Sequence, residues 1–557
     1  QDVSAFIGSV EVKMSESSDP AANVEHQGAN PHFLDSSLLQ NVKKNIPESL
    51  TSALSEARAE TKVRSDEIKG YAEAMKNYAF RVWKISNWWR TPPTTLRSRE
   101  EEINKPKVLI VYSDTGGGHK ASAASIAAAI DQIANDKVEV KIVDIMEDYT
   151  LWASNRTYNF FSSLPWLWGA IYNSTKRTHS LSGNVWILDP ARVGEPSVLE
   201  GFIRCVQEER PDIIVSVHPI LQSAPRATSS HMKDGKRIPF VTVVTDLGEA
   251  HPWWFNKGLD KMFVPIEEMK SQALEFGLKE EQVVVCGLPL RKGFWNIDSS
   301  KSNKEQMREK LELRQDWRVV ILIGGGDGMG KLKECAMSFF ARKSDERMRK
   351  LQIVVICGKN EKLQKQLIWE AEKVKEGLAE CDIRVLGFVS NMEEWMIAAD
   401  VLVTKAGPGT IAEACCCGLP VLLFDFLPGQ EEGNVTFVES SGMGEFIKDA
   451  TKVGSRCLDW LEDEEGLVRM QQASFKHAER NSTAAMKIAR QTLDVILDEE
   501  DRQSIDESVN EWAGKKKETL AAPAASKFVY KSSWWSWFSP ANLTQAPSWW
   551  REAEVKE

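Results

Sequence analysis

Glycine-rich turns and one histidine supply the residue types in this chain that can do chemistry. Lys405-Ala406-Gly407-Pro408-Gly409-Thr410 lies between a β-branched run, Val401–Val403, and a segment, Ile411–Cys417, that reads as helix and stops at Gly418. Backbone N–H groups at the start of such a helix have no internal partner, so they form an anion site. Gly409 carries no side chain to hold a phosphate away, and Thr410 adds a hydroxyl donor. One turn on, Glu413 suits neutral hydroxyls beside the phosphates, as on a ribose, and would repel phosphate itself. A second strand, Pro420–Phe424, leads to Gln430-Glu431-Glu432-Gly433-Asn434. Such side chains recognise sugars because each sugar hydroxyl both donates and accepts. The combination points to a nucleotide-sugar site, against the plainer reading of an ordinary βαβ unit with a Gly-rich turn.

The histidine is His119, in Gly116-Gly117-Gly118-His119-Lys120-Ala121, between the strand Lys107–Tyr112 and an Ala-rich helix. With Asp144 ending the next strand, this is on paper a dinucleotide fingerprint. His119 stands where the backbone should approach a pyrophosphate. An imidazole at a helix N-terminus has its charged form disfavoured, which keeps it neutral and available as a base. Another loop, Gly325-x4-Gly330-Lys331, falls one residue short of a nucleotide-triphosphate loop, and Leu332 stands where a Mg²⁺-binding hydroxyl is required. The ATPase reading fails. Gly324, Gly325 and Gly326 can still approach a diphosphate closely.

Strands alternate with helices in two series, so the fold class is α/β, with parallel sheets covered on both faces. The first series has strands at Lys107–Tyr112, Val138–Asp144, Asp212–Val217, Pro239–Thr245, Lys261–Pro265 and Gln282–Cys286. The second runs from Arg318 through Gln352–Cys357, Ile383–Val389, Val401–Val403 and Pro420–Phe424. Ligands in such sheets sit at the carboxyl ends of the strands, so two facing sheets build one cleft. The expected divisions are 1–68 a disordered N-terminal region, 69–105 a basic aromatic helix, 106–290 and 291–499 two Rossmann-like domains for acceptor and nucleotide-sugar, and 500–557 a charged, Trp-rich tail.

The 557 residues carry 80 acidic and 70 basic side chains, a formal charge of −10, which argues against general nucleic-acid binding. Nine cysteines form no CxxC pair, so neither a disulfide framework nor a zinc site is indicated, and a reducing compartment fits. No apolar run is long enough to span a bilayer. The chain begins at Gln1 rather than Met, which leaves room for a removed targeting peptide.

SDTGGGHKASA, VTDLGEAHPWWF, CGLPLR, GGGDGMG, AGPGTIAEA and GQEEGN, in this order, resemble the monogalactosyldiacylglycerol synthases of plastids, over roughly residues 106 to 495. The resemblance implies the two-domain GT-B glycosyltransferase fold, shared with the bacterial enzyme that adds N-acetylglucosamine to lipid I. It implies inverting transfer of galactose from UDP-galactose to diacylglycerol. On matching positions His119 is the acceptor-side base, and Asp246 orients it or lines the acceptor cleft. Gly407, Pro408, Gly409 and Thr410 hold the diphosphate, helped by the Gly324–Gly326 loop and Arg291. Glu413 takes the ribose, backbone at Phe388 and Val389 faces uracil, and Gln430, Glu431 and Asn434 read the galactose. No DxD metal motif stands at a suitable strand end, which fits a reaction without metal or other cofactor.

Tryptophan is over-used, 20 against 7 tyrosines. Trp253 and Trp254, and Trp166 and Trp168 within 155–177, suit insertion into a lipid surface beside the acceptor cleft, with core packing as the alternative. Tyr71, Met75, Tyr78, Val82, Ile85 and Trp89 form one face of a basic helix. Trp534, Trp535, Trp537, Trp549 and Trp550 follow Lys515-Lys516-Lys517, a pattern suited to anionic membrane lipid. The competing functions are a UDP-glucose:diacylglycerol glucosyltransferase, a UDP-sugar 2-epimerase on the same fold, a nicotinamide dehydrogenase and a non-catalytic membrane scaffold. The dehydrogenase leaves the second, UDP-like half unexplained.

Overall fold

The computed structural model describes residues 105–114, 118–149, 169, 172, 173, 176, 196–222, 237–297, 301–326, 328, 330–375 and 380–521. The basic aromatic segment, the late indoles, and Trp166 and Trp168 lie outside them. All the described residues belong to one compact unit, Pro93–Glu557.

Two six-stranded sheets form the frame. The first runs β2 (Glu139–Asp144), β1 (Lys107–Tyr112), β3 (Ile213–Ser216), β4 (Phe240–Val243), β5 (Lys261–Val264), β6 (Val283–Val285). The second runs β12 (Gly444–Phe446), β11 (Val421–Asp425), β10 (Val401–Lys405), β7 (Arg318–Ile323), β8 (Leu351–Ile356), β9 (Cys381–Leu386). Every pairing is parallel, which is why β3, β7, β8 and β10 are nearly continuous runs of Val, Ile and Leu buried on both faces. This is the GT-B arrangement of two Rossmann-like domains. Strand order reverses between β1 and β3 in one sheet and between β7 and β10 in the other. Chains leaving neighbouring strands at such a point part to opposite faces and open a crevice. His119 follows β1, His218 follows β3, Gly324–Gly326 follow β7 and Gly407–Thr410 follow β10, so the candidate residues occupy both crevices.

Two features differ from the sequence expectation. Strand β12 went unnoticed, because Gly-Glu-Phe has no period to read; it completes the sheet edge beside β11. The chain from about 478 onward is not an end of the second domain followed by a tail. Helix Ala478–Leu493 packs on helix Gly118–Ala134 of the first domain, and a further helix, Glu499–Ala521, follows it there. Ala123, Ala127, Ile130, Ala485, Ile488, Ala489, Ile505 and Trp512 share one core with β1 and β3. The alanines on both helices permit the close approach. A segment read by charge alone as tail thus returns to brace the helix that carries His119.

Trp512→Ala should therefore destabilise the first domain by about 3 kcal/mol, the usual cost of emptying a buried indole site. Denaturant unfolding measures it; an unchanged midpoint would show that the returning helix is not part of that core.

Candidate functional site

His119 opens the helix Gly118–Ala134 and is buried. Its Nδ1 lies 2.8 Å from the Val217 carbonyl oxygen and 2.8 Å from Thr245 Oγ1. A carbonyl only accepts, so Nδ1 must carry the proton and Nε2 the lone pair. Nε2 has no protein hydrogen-bond partner among the described residues. Burial pushes the imidazole down to about 4, against the opposing pull of the Val217 carbonyl and Asp114. The ring is thus a neutral base with its basic nitrogen unoccupied. His218 caps the short turn Pro219–Leu221 through Nδ1, and its ring centroid lies 4.4 Å from that of His119. Burial lowers it too, with the neighbouring His119 adding to the effect.

Asp246 does not orient His119. Its Oδ2 accepts from Trp254 Nε1 at 2.7 Å, while the His119 hydrogen bonds run to Val217 and Thr245. Trp254 is correspondingly fully buried, so it is not an indole exposed to lipid. A buried indole N–H needs an acceptor, and Asp246 is that acceptor. Trp253 is half-buried and packs on His251, ring centroids 4.4 Å apart. Burial raises the Asp246 carboxyl to about 7, with Glu431 of the second domain adding to it and Trp254 opposing.

On the second domain the helix begins earlier than the sequence suggested, at Pro408, with Gly407 as its cap. Pro408 has no N–H and Ile411 N donates to Gly407 O, which leaves the N–H groups of Gly409 and Thr410 without a helical partner. The space beside Gly409 is open. Arg291 Nε and Nη2 both donate to Glu413 Oε1 one turn along this helix, at 2.9 and 2.7 Å. Burial raises the Glu413 carboxyl while Arg291, on Oε1, pulls it back. The cation beside the glycine turns is Lys405, which sequence reasoning passed over as part of a loop. Its Cε lies 3.4 Å from where a Cβ on Gly325 would stand, and its Nζ 3.8 Å from one on Gly407. A register shift at Thr404/Lys405 takes this residue out of the regular ladder.

The loop after β11 divides its work. Glu431 accepts from Lys405 Nζ at 2.7 Å and from Leu427 N at 2.8 Å. Asn434 Oδ1 accepts from Leu247 N at 3.3 Å and Gly248 N at 3.0 Å, and its Nδ2 donates to Ala406 O at 2.8 Å. Both side chains are buried and hydrogen-bonded to protein. Gln430 Oε1 is different, buried and without a partner among the described residues. Phe388, beyond β9, is 62% exposed, an open face for a flat ring, and Val389 packs on the core beneath. Among the described residues no group of His, Cys, Asp or Glu is arranged to hold a metal ion.

The Asp246 carboxyl holds a proton that the unfolded chain has lost between about pH 4 and pH 7, so this group lowers stability as pH rises through that window. Asp246→Asn keeps the acceptor for Trp254. It should raise unfolding free energy relative to wild type by on the order of 3 kcal/mol at pH 8 and by little at pH 4. Denaturant titrations at the two pH values check this, and a pH-independent difference would refute the buried protonated carboxyl.

Comparison with known proteins gives the family. A family model described as monogalactosyldiacylglycerol (MGDG) synthase matches residues 119–290, and one described as glycosyltransferase family 28 C-terminal domain matches residues 319–516. Monogalactosyldiacylglycerol synthase 2, chloroplastic, of Arabidopsis thaliana is 40% identical over 361 residues, 64% of this chain and 73% of that one. The chloroplastic synthase of Spinacia oleracea is 35% identical over 413 residues, 72% and 74% of the two chains. A crystal structure of Acinetobacter baumannii MurG aligns at 14% identity and a TM-score of 0.45, covering 70% of this chain and 99% of that one, a distance at which likeness says nothing of function. The chain belongs to the monogalactosyldiacylglycerol synthase family.

Proposed function

We propose that this protein transfers galactose from UDP-galactose to the free hydroxyl of 1,2-diacylglycerol, inverting the anomeric carbon and releasing UDP. Family membership supports the reaction. The observation that carries the mechanism is the buried, neutral His119, with Nδ1 fixed by Val217 and Nε2 unoccupied. A hydroxyl is a poor nucleophile at neutral pH, and a base whose lone pair is already aimed removes its proton as attack proceeds. The acceptor oxygen forms a bond to the sugar carbon from the face opposite UDP, and the bond from that carbon to the phosphate oxygen breaks, leaving its electron pair on UDP.

Departing charge is met by the N–H groups of Gly409 and Thr410 and by Lys405, a set that works without a metal. Glu413 Oε2 takes the ribose hydroxyls while Arg291 holds the other oxygen. Phe388 and Val389 border the uracil, and Gln430 Oε1 accepts from a sugar hydroxyl. Asp246 lines the acceptor side and, where protonated, meets no charge repulsion from Glu431. The protein works as a peripheral protein at a plastid membrane, as the chloroplastic names of its relatives suggest. Among the described residues no helix is long and apolar enough to cross a bilayer. Half-exposed Trp253 and the tryptophan-rich segments outside the described residues, with their lysines, support a hold on anionic lipid.

On diacylglycerol vesicles, wild type should transfer label from UDP-galactose and much less from UDP-glucose. His119→Ala should lower the transfer rate by a factor of about 10² to 10⁴ while UDP still binds, measured by calorimetry. Faster transfer from UDP-glucose would make the enzyme a glucosyltransferase. Retention of full activity in His119→Ala would remove the base.

A further inference from the structure

One side-chain amide ties together three segments that the reaction needs in register. Asn434 stands in the first turn of the helix Glu432–Ser440, directly after the loop that carries Gln430. Its Oδ1 takes the N–H groups of Leu247 and Gly248, from the turn that follows β4 in the first domain, and its Nδ2 reaches Ala406, at the entrance to the phosphate-binding turn. A carboxamide suits this place because it accepts at one end and donates at the other. Asn434 is 2% exposed, so water does not substitute for it.

The surrounding backbone leaves no slack. A Cβ on Gly248 would overlap the Gly433 carbonyl oxygen, and one on Gly433 would lie 2.7 Å from Glu249 N. The two domains meet here main chain to main chain, at glycines. Beside them, Gly429 packs on the Tyr172 ring, and Lys176 Nζ pairs with Glu249 at 2.6 Å. The same turn, Thr245 to Gly248, touches His119 at its first residue and Asn434 at its last.

We propose that Asn434 is a positioning residue, a latch that holds the sugar-facing loop against the Thr245–Gly248 turn so that the sugar carbon and His119 Nε2 share one register. It touches no substrate. This rests on the galactosyl-transfer reading of the site, and it assigns to the acceptor side a part in placing the donor sugar. Opening the latch misplaces the sugar relative to the base but leaves the UDP contacts, which come from Glu413, the Gly409–Thr410 turn and Lys405.

The test uses the full chain and five forms: wild type, N434A, N434D, G248A and the double variant G248A/N434A. Amide exchange of a peptide covering residues 244–252 should speed up at Leu247 and Gly248 in N434A and G248A. kcat should fall about a hundredfold in each, the usual consequence of an ångström-scale misplacement, while inhibition by UDP stays near its wild-type value. The double variant should be no worse than the more damaged single one, because both changes open the same contact. N434D keeps the volume and an acceptor for the two N–H groups. It should retain protection and lose less kcat than N434A, because the contact to Leu247 and Gly248 is kept while that to Ala406 is lost. Unchanged protection in N434A, a raised KM for UDP-galactose at constant kcat, or multiplicative losses in the double variant would overturn the latch. If wild type transfers no galactose, the reaction reading fails alone, and the exchange data still decide whether the latch exists.

Discussion

The hydrogen bond from His119 Nδ1 to the Val217 carbonyl sets the chemistry of this molecule. It joins the helix that follows β1 to the residue after β3, across the point where strand order reverses. A side chain elsewhere on the helix would meet packed neighbours, whereas at this reversal a crevice exists by construction. The bond does two things at once: it fixes the tautomer, and it lets a polar ring be buried with one nitrogen satisfied. Burial then keeps the ring neutral. In the proposed transfer such a base is strong in availability rather than in affinity for protons, which suits attack concerted with departure of UDP.

The donor side follows the same rule at the second reversal. Pro408 at the first helical position removes one N–H and presets the turn, so that the donors of Gly409 and Thr410 remain. Charge is partitioned around them. Arg291 occupies one oxygen of Glu413, and Lys405 is braced by Glu431, so each cation meets a carboxylate of its own. The arrangement keeps two buried acids compatible with a dianionic ligand nearby. Between the domains, Asp246 and Glu431 approach closely enough to raise the former, and that proximity marks where acceptor and donor sides meet.

Much of this was legible in the sequence because parallel strands buried on both faces must read as β-branched runs, and turns that approach phosphate must contain glycine. The two sheets, the placement of His119 after β1 and the Gly-Pro-Gly turn after β10 follow from those constraints. What escaped is equally physical. Trp254 and Trp253 are the same residue type side by side, and only the fold tells which one finds Asp246. Asn434 and Gln430 are chemically alike, yet one amide is consumed by backbone while the other keeps an unpartnered oxygen. Lys405 carried no signal because partner choice depends on which carboxylate lies within reach, Glu431 for Lys405 and Glu413 for Arg291. The helices beyond 478 were misjudged because alanine on two facing helices carries little hydrophobic signal, although it allows their tight packing.

The central claim is that His119 is a neutral, Nδ1-protonated base at working pH. Nitrogen-15 chemical shifts of the His119 ring, assigned by comparison with His119→Ala and followed from pH 8 down to pH 5, test it most directly. The account predicts the Nδ1–H tautomer throughout, with no titration near the ordinary histidine value of about 6.5. A midpoint near that value, or the proton found on Nε2, would contradict it.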